Sequence, residues 1–261
     1  TTERFFSAIA DGAPYVGSSH RGFHGTSRGN ATAGHAERIR PPFRTMSVNE
    51  AFIRYAGVDL LDNQKRRRFA ETAVRLGLRI NEEEESWEEI FNRLLVTFVE
   101  PQLPEDHPTI LYDYPAQIPA LAKKSDSGPW LERWELYLGK VEVANCYSEE
   151  TDPRIIRNFF EREYAVKASS DRVIPDIDEE FISLFEKSFE RAEELGSGTG
   201  GAPPDVSDSQ TFAPSASPHQ FSECAFPECT GTALGVDRLI MLLTGARSLE
   251  GVILFPFSDI L

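Results

Sequence analysis

The 261-residue chain is poor in sulfur, with three cysteines and two methionines. Cys146, Cys224 and Cys229 form an odd, sparse set, which argues against a disulfide-stapled fold and fits reduced thiols. His219, Cys224 and Cys229 sit near one another in the chain. Their spacing matches no common zinc finger and no fourth ligand is evident, so they read as ordinary side chains. Long apolar runs are also missing: none approaches the roughly 18 consecutive apolar residues of a membrane helix. The opening TTERFFSAIADG lacks the basic and then apolar stretches of a secretory leader. A cytoplasmic protein with no membrane contact is the expectation. Positive charge is scarce too, with 27 Lys and Arg against 42 Asp and Glu and a net charge of −15. That balance excludes broad non-specific nucleic-acid binding, which depends on phosphate neutralisation. The one basic cluster, Lys65, Arg66, Arg67, Arg68, Arg75 and Arg79, lies on a predicted helix. It reads as a solvated face balanced by the acidic run Glu82 to Glu85.

What is present is enough to build a core: 40% apolar residues, 11% of the chain aromatic. The composition predicts one globular domain with insertions. Residues 1–46 read as an N-terminal helix followed by a flexible Gly-, Ser- and His-rich insert over 13–42, and 47–261 as the folded domain. A second low-complexity insert spans 196–220 and is too poor in apolar side chains to pack. The spacing predicts a capping box from Ser47 to Glu50 opening a short helix through Asn49 to Ala56 that ends at Gly57, a second helix over about Asn63 to Leu76 stopped by Gly77, and a third opened by a capping box from Ser86 to Glu89. TILYDYP reads as a strand, and two further strands flank Gly139-Lys140 as a hairpin. Helical patterns recur near Pro153 to Ala165 and Ile177 to Leu195.

The hairpin carries the chemistry. If Gly139-Lys140 is a two-residue turn, Tyr137 faces Glu142, and Glu135 and Glu142 become diagonal neighbours on one face. Two carboxylates so placed can hold Mg²⁺ and through it a triphosphate, although spacing alone leaves open that they merely face water. Asn145, Tyr147 and Glu149 alternate along the second strand and therefore share a face. Together they suit an aliphatic ammonium, with Glu149 as counter-charge and Tyr147 packing the stem. Strict alternation sets this trio against Glu142, so one common pocket requires a bulge near Ala144. Further on, Gly231 and Gly235 in GTALGVDRL remove side chains where a flat ligand could approach the backbone. Arg238 then falls in the first turn of the next helix, where the dipole favours the same anion.

Taken together, ELYLGKVEVANCYSEETDP followed by GTALGVDRLIMLLTG resembles the second half of class II lysyl-tRNA synthetases, over about Ser47 to Phe257. MSVNEAFIRYAGVD, FPECTGTALGVDR and Ala233, where the synthetases usually carry glycine, are more similar to their paralogues that ligate (R)-β-lysine to elongation factor P. The resemblance implies an α+β class II synthetase-like fold, a mostly antiparallel sheet flanked by helices, here without its N-terminal part. It implies Mg²⁺ binding by Glu135 and Glu142, ATP contacts from Glu142, Val143, Gly235 and Arg238, and Arg238 as the catalytic cation. Asn145, Tyr147, Glu149 and Ala233 would bind lysine or (R)-β-lysine. The implied cofactors are ATP and Mg²⁺. Elongation factor P is the implied acceptor in preference to tRNA, with a homodimer or an upstream partner chain as assembly. The family's dimer-forming element and the strand-loop-strand arginine that contacts the α-phosphate have no counterpart before Ser47. TTERFFSAI resembles the helix that follows them.

Overall fold

A computed structural model describes residues 39–81, 84–170, 176–186 and 226–254. The first and last segments of the sequence, most of the 13–42 insert, all of the 196–220 insert, His219 and Cys224 lie outside these residues. The chain divides into two compact units, residues 1–148 with 230–261, and residues 149–229.

The first unit is built on a five-stranded sheet in the order β1 (Arg44–Ser47), β2 (Thr109–Pro115), β3 (Trp130–Leu138), β4 (Val141–Ser148) and β5 (Thr230–Leu234). β1 runs parallel to β2 and every other pair is antiparallel. The expected α+β architecture is therefore present. Strand pairing begins at Arg44, before Ser47, and the preceding Ile39 and Phe43 are already buried. Apolar side chains at 39 and 43 extend the core into what composition alone reads as insert.

Three helices cover one face at its β1–β2 end: α1 (Val48–Ala56), α2 (Arg66–Arg75) and α3 (Trp87–Leu94), which runs on through a π-helical turn at Leu95–Val99 and a 3₁₀ turn at Glu100–Gln102. Ser47 caps α1 through the Glu50 N–H, and Gly57, in the left-handed region that tolerates glycine best, ends it. Glu50 does not close a box; its carboxylate bonds Arg54 one turn on. Ser86 and Glu89 do form the full reciprocal box of α3. The helices bury an aromatic stack, with Phe52 on Phe91 at 4.9 Å, Phe69 on Trp87 at 4.8 Å and Phe91 edge-on to Tyr114 at 6.3 Å. The opposite face packs α5 (Val236–Thr244) through Leu239 onto Leu136, Leu138, Val143 and Ala144. The basic cluster of α2 is paired locally: Arg67 with Glu71, Arg68 with Asp62 and Arg66 with the Glu85 carbonyl.

The second unit holds α4 (Pro153–Ser170) and helical residues 179–186. Phe160, Phe181, Phe185 and Phe226 form a chain of ring contacts, and Arg157 ion-pairs with both Glu179 and Glu186.

Candidate active site

Two irregularities of register build the site. In the β3–β4 hairpin Gly139 and Lys140 both have positive φ, the signature of a tight primed turn. Leu138 pairs with Val141 and Tyr137 with Glu142 as the turn predicts. Leu136 then pairs with Ala144, so Val143 is one residue too many. A bulge lies beside Ala144, where the alternation asks for one. It restores Asn145 to a position opposite Glu135 and Tyr147 opposite Arg133, so Arg133, Glu135, Tyr137, Glu142, Asn145 and Tyr147 share a face. β5 continues the face, with Ala233 opposite Asn145 and Gly231 opposite Tyr147.

The second irregularity lies between β2 and β3. Tyr112 pairs with Trp134, but Tyr114 pairs with Leu131, one residue beyond regular register. Between them Asp113 has a φ of 60°, an unfavourable conformation for a side chain with a Cβ. The slip turns Tyr114 to the face of Glu135.

Glu135 is 7% exposed and takes three donors. The Tyr114 hydroxyl donates to its Oε2 at 2.5 Å and the Tyr137 hydroxyl to the same oxygen at 2.9 Å. Arg133 Nη2 reaches Oε1 at 2.7 Å and its guanidinium lies over the Tyr114 ring at 4.8 Å from the centroid. Arg133 Nε is buried with no partner among the described residues. Burial and the neighbouring Tyr137 and Glu135 push the Tyr114 hydroxyl well above its ordinary range; burial, Glu135 and Glu100 do the same for Tyr137. Both phenols therefore stay protonated as donors.

Glu142 differs. Its side chain is 32% exposed and pairs with Arg238 Nη1 at 3.2 Å, while the same nitrogen donates to the Glu142 carbonyl at 2.9 Å. Gly235 caps the start of α5 and its N–H donates to the Val143 carbonyl at 2.8 Å. A Cβ on Gly235 would meet the Arg238 stem at 3.4 Å, so glycine here leaves room for that side chain. Glu100, on the 3₁₀ turn after α3, accepts from Tyr137 at 3.2 Å. Burial raises its carboxyl, as do the charges of Glu135 and Glu142, against the lowering effects of the Tyr137 hydrogen bond and Arg238.

The sheet thus brings together Glu135, Glu142, Asn145, Tyr147, Ala233, Gly235 and Arg238, with Val143 as the bulge. Glu149 is the first residue of the second unit; burial raises its carboxyl and its N–H bonds the Cys229 carbonyl. Among the described residues no group of three or more His, Cys, Asp or Glu side chains is arranged to hold a metal. The donor set nevertheless suits a cation that arrives with phosphate oxygens and water as its remaining ligands, because Glu142 is accessible and Glu135 keeps one lone pair on Oε1. Sequence reasoning missed Arg133, Tyr137, Tyr114 and Glu100. Alternation from Glu135 marks the first two. Tyr114 is hidden by the register slip, and Glu100 is 35 residues away in the chain with no local signal. A cavity of about 230 Å³ beside Leu138, Gly139 and Met241 holds none of these residues. No helix among the described residues is long and apolar enough to cross a membrane.

The family described as tRNA synthetases class II (D, K and N) matches residues 3–200 and 219–259. The chain is 30% identical over 234 residues to a lysine–tRNA ligase of Anaeromyxobacter sp. (strain K), covering 85% of this chain and 38% of that protein. It is 31% identical over 214 residues to the elongation factor P–(R)-β-lysine ligase of Proteus mirabilis (strain HI4320), covering 81% and 54%. A ligase of the same name from Photorhabdus laumondii is 30% identical, with 82% and 55% covered. The chain thus spans from little more than a third to little more than half the length of these relatives. With the family match running over most of its length, the chain belongs to the class II tRNA synthetases of the D, K and N group.

Proposed function

We propose that the chain serves an ATP-dependent ligase that activates a lysine-type amino acid as its adenylate and passes the acyl group to a lysine of elongation factor P. The observation that carries this is the Val143 bulge, which sets the amino-acid residues Asn145 and Tyr147 on the same face as Glu142, beside Arg238. In the reaction an oxygen of the amino-acid carboxylate bonds the α-phosphorus of ATP, and the bond from that phosphorus to the leaving pyrophosphate breaks. The acceptor amine then attacks the acyl carbon and displaces AMP. Arg238, half-exposed at the N-terminus of α5, would meet the phosphate charge, a role supported by the helix dipole and by its hold on the Glu142 backbone, which orients it. Asn145 hydrogen-bonds the amino acid and Tyr147 packs its aliphatic stem. Glu149 supplies the counter-charge for the ammonium, an assignment that rests on its alternation with Asn145 and Tyr147 in the sequence and on the motif resemblance. Mg²⁺, held by Glu142 and the remaining lone pair of Glu135, would neutralise the triphosphate.

Ala233 supports the elongation factor P reading over tRNA. It is exposed on the site face opposite Asn145, and its methyl stands where lysyl-tRNA synthetases usually have glycine. A lysyl-tRNA ligase is the second reading, favoured by the similarity to the Anaeromyxobacter protein at an almost equal identity. Amino-acid-dependent ATP–pyrophosphate exchange, measured on this chain with (R)-β-lysine and with α-lysine, separates the two. Preference for (R)-β-lysine is expected, and preference for α-lysine would move the protein to the second reading. Silence from this chain with activity in a longer form would make it half of an enzyme, whereas silence from both would leave a nucleotide-binding module without adenylation. In calorimetry Glu149→Gln is expected to abolish lysine binding and leave ATP binding nearly intact; equal loss of both would remove Glu149 from the amino-acid subsite.

A further inference from the structure

We propose that Tyr114 is a positioning residue that locks the Glu135 carboxylate in one orientation, and that the register slip between β2 and β3 exists to deliver it. The inference rests on the functional reading above. Without the slip Tyr114 would pair with Glu132, whose side chain is exposed on the other face. The slip is accompanied by Asp113 at a φ of 60°, a strained conformation that persists where the surrounding structure demands it.

What the slip achieves is specific. A carboxylate oxygen has two lone pairs; Tyr114 takes one on Oε2, and Tyr137 takes the other whenever its hydrogen is turned to Glu135 and not to Glu100. Arg133 takes one of the two on Oε1. With both phenols engaged a single lone pair is left, on the oxygen shared with Arg133, and even with Tyr137 turned to Glu100 the group cannot rotate without breaking the two charge-assisted bonds from Tyr114 and Arg133. Tyr114 acts twice, because its ring also supports the Arg133 guanidinium that holds Oε1. Tyr114 is 1% exposed and lies edge-on to Phe91. A phenylalanine would fill the core equally well; only the hydroxyl requires tyrosine.

The test is Tyr114→Phe, with Phe91→Leu as a control that loosens the same aromatic stack without touching Glu135. The antisymmetric carboxylate stretch of Glu135, identified as the infrared band that Glu135→Gln removes, is expected to shift in Tyr114→Phe and to stay in place in Phe91→Leu. In lysine-dependent pyrophosphate exchange, Tyr114→Phe is expected to lower the maximal rate on the order of tenfold, the effect of one hydrogen bond to a charged group, with KM for ATP and amino acid within about twofold. Phe91→Leu is expected to lower the melting temperature at an unchanged rate. An unshifted band, an unchanged rate in Tyr114→Phe, or a rate that falls with melting temperature in both variants would overturn the inference while leaving the ligase reading standing. A wild type unreactive both as this chain and in a longer form would remove that reading and this inference with it.

Discussion

Glu100 and Glu135 compete for one phenolic hydrogen. Tyr137 lies within hydrogen-bond distance of both, at 3.2 Å and 2.9 Å, and can donate to only one at a time. Burial and two neighbouring carboxylates hold the Glu100 carboxyl above its ordinary value. A carboxyl raised in this way binds more protons in the folded chain than in the unfolded one. Its contribution to stability is therefore complete below the unfolded value, about 4.3, and is lost as pH rises through the folded value. Above that window the ionised group is a liability. Glu100→Gln, which keeps an oxygen to accept from Tyr137, is expected to be more stable than the wild type at about pH 8 and to lose that advantage near pH 4. Urea unfolding at the two pH values checks it, and an advantage that persists at the acid end would rule it out.

At the scale of elements, the β3–β4 hairpin separates into a turn that fixes register and a bulge that makes the site. Gly139 adopts a φ of 54° and a Cβ there would meet open space, so substitution costs conformation and nothing else. Gly139→Ala is expected to lower stability by about 1 kcal/mol in denaturant unfolding, the ordinary penalty for a side chain in the left-handed region. The lysine binding proposed above, measured by calorimetry, should be unchanged, because pairing beyond Leu138 and Val141 is set by side chains on both faces. A loss of binding in a stably folded Gly139→Ala would mean that the turn also positions the site. Lys140 already bears such a penalty at a φ of 69°, and its ammonium group pairs with Glu105 at 2.7 Å. That pair is partly exposed and repays little.

For the molecule as a whole, a net charge of −15 on 261 residues means that like charges repel throughout the folded chain. The local ion pairs relieve this only in part. Salt screens it over a distance of about 10 Å at 0.1 M. The melting temperature is expected to rise as sodium chloride is added to a low-salt buffer, up to roughly 0.15 M, and calorimetry checks it. A fall over the same range would show that attractive pairs such as Arg157 with Glu179 and Glu186 outweigh the repulsion.

Local chemistry determined most of the elements and the identity of the chemical groups. Ser47, Gly57, Ser86 and Glu89 mark helix ends by side-chain and backbone rules that act within a few residues, and Gly139-Lys140 fixes a turn in the same way. Glu135, Glu142, Asn145, Tyr147, Gly235 and Arg238 were legible because alternation along a strand and position in a helix follow from spacing. Alternation also showed that Glu142 and Asn145 needed a bulge between them; only the pairing of β3 with β4 put it at Val143. The slip that turns Tyr114 inward was not legible at all. It appears in the pairing of two strands, with Leu111 opposite Glu135 and Tyr114 opposite Leu131, and no single strand records its partner's register. The same holds for Glu100, brought to Tyr137 by the packing of the α3 extension on the sheet. Which carboxylate is open to a ligand and which is already held by phenols and a guanidinium is decided by such long-range contacts, because hydrogen-bond partners are assigned by proximity in space.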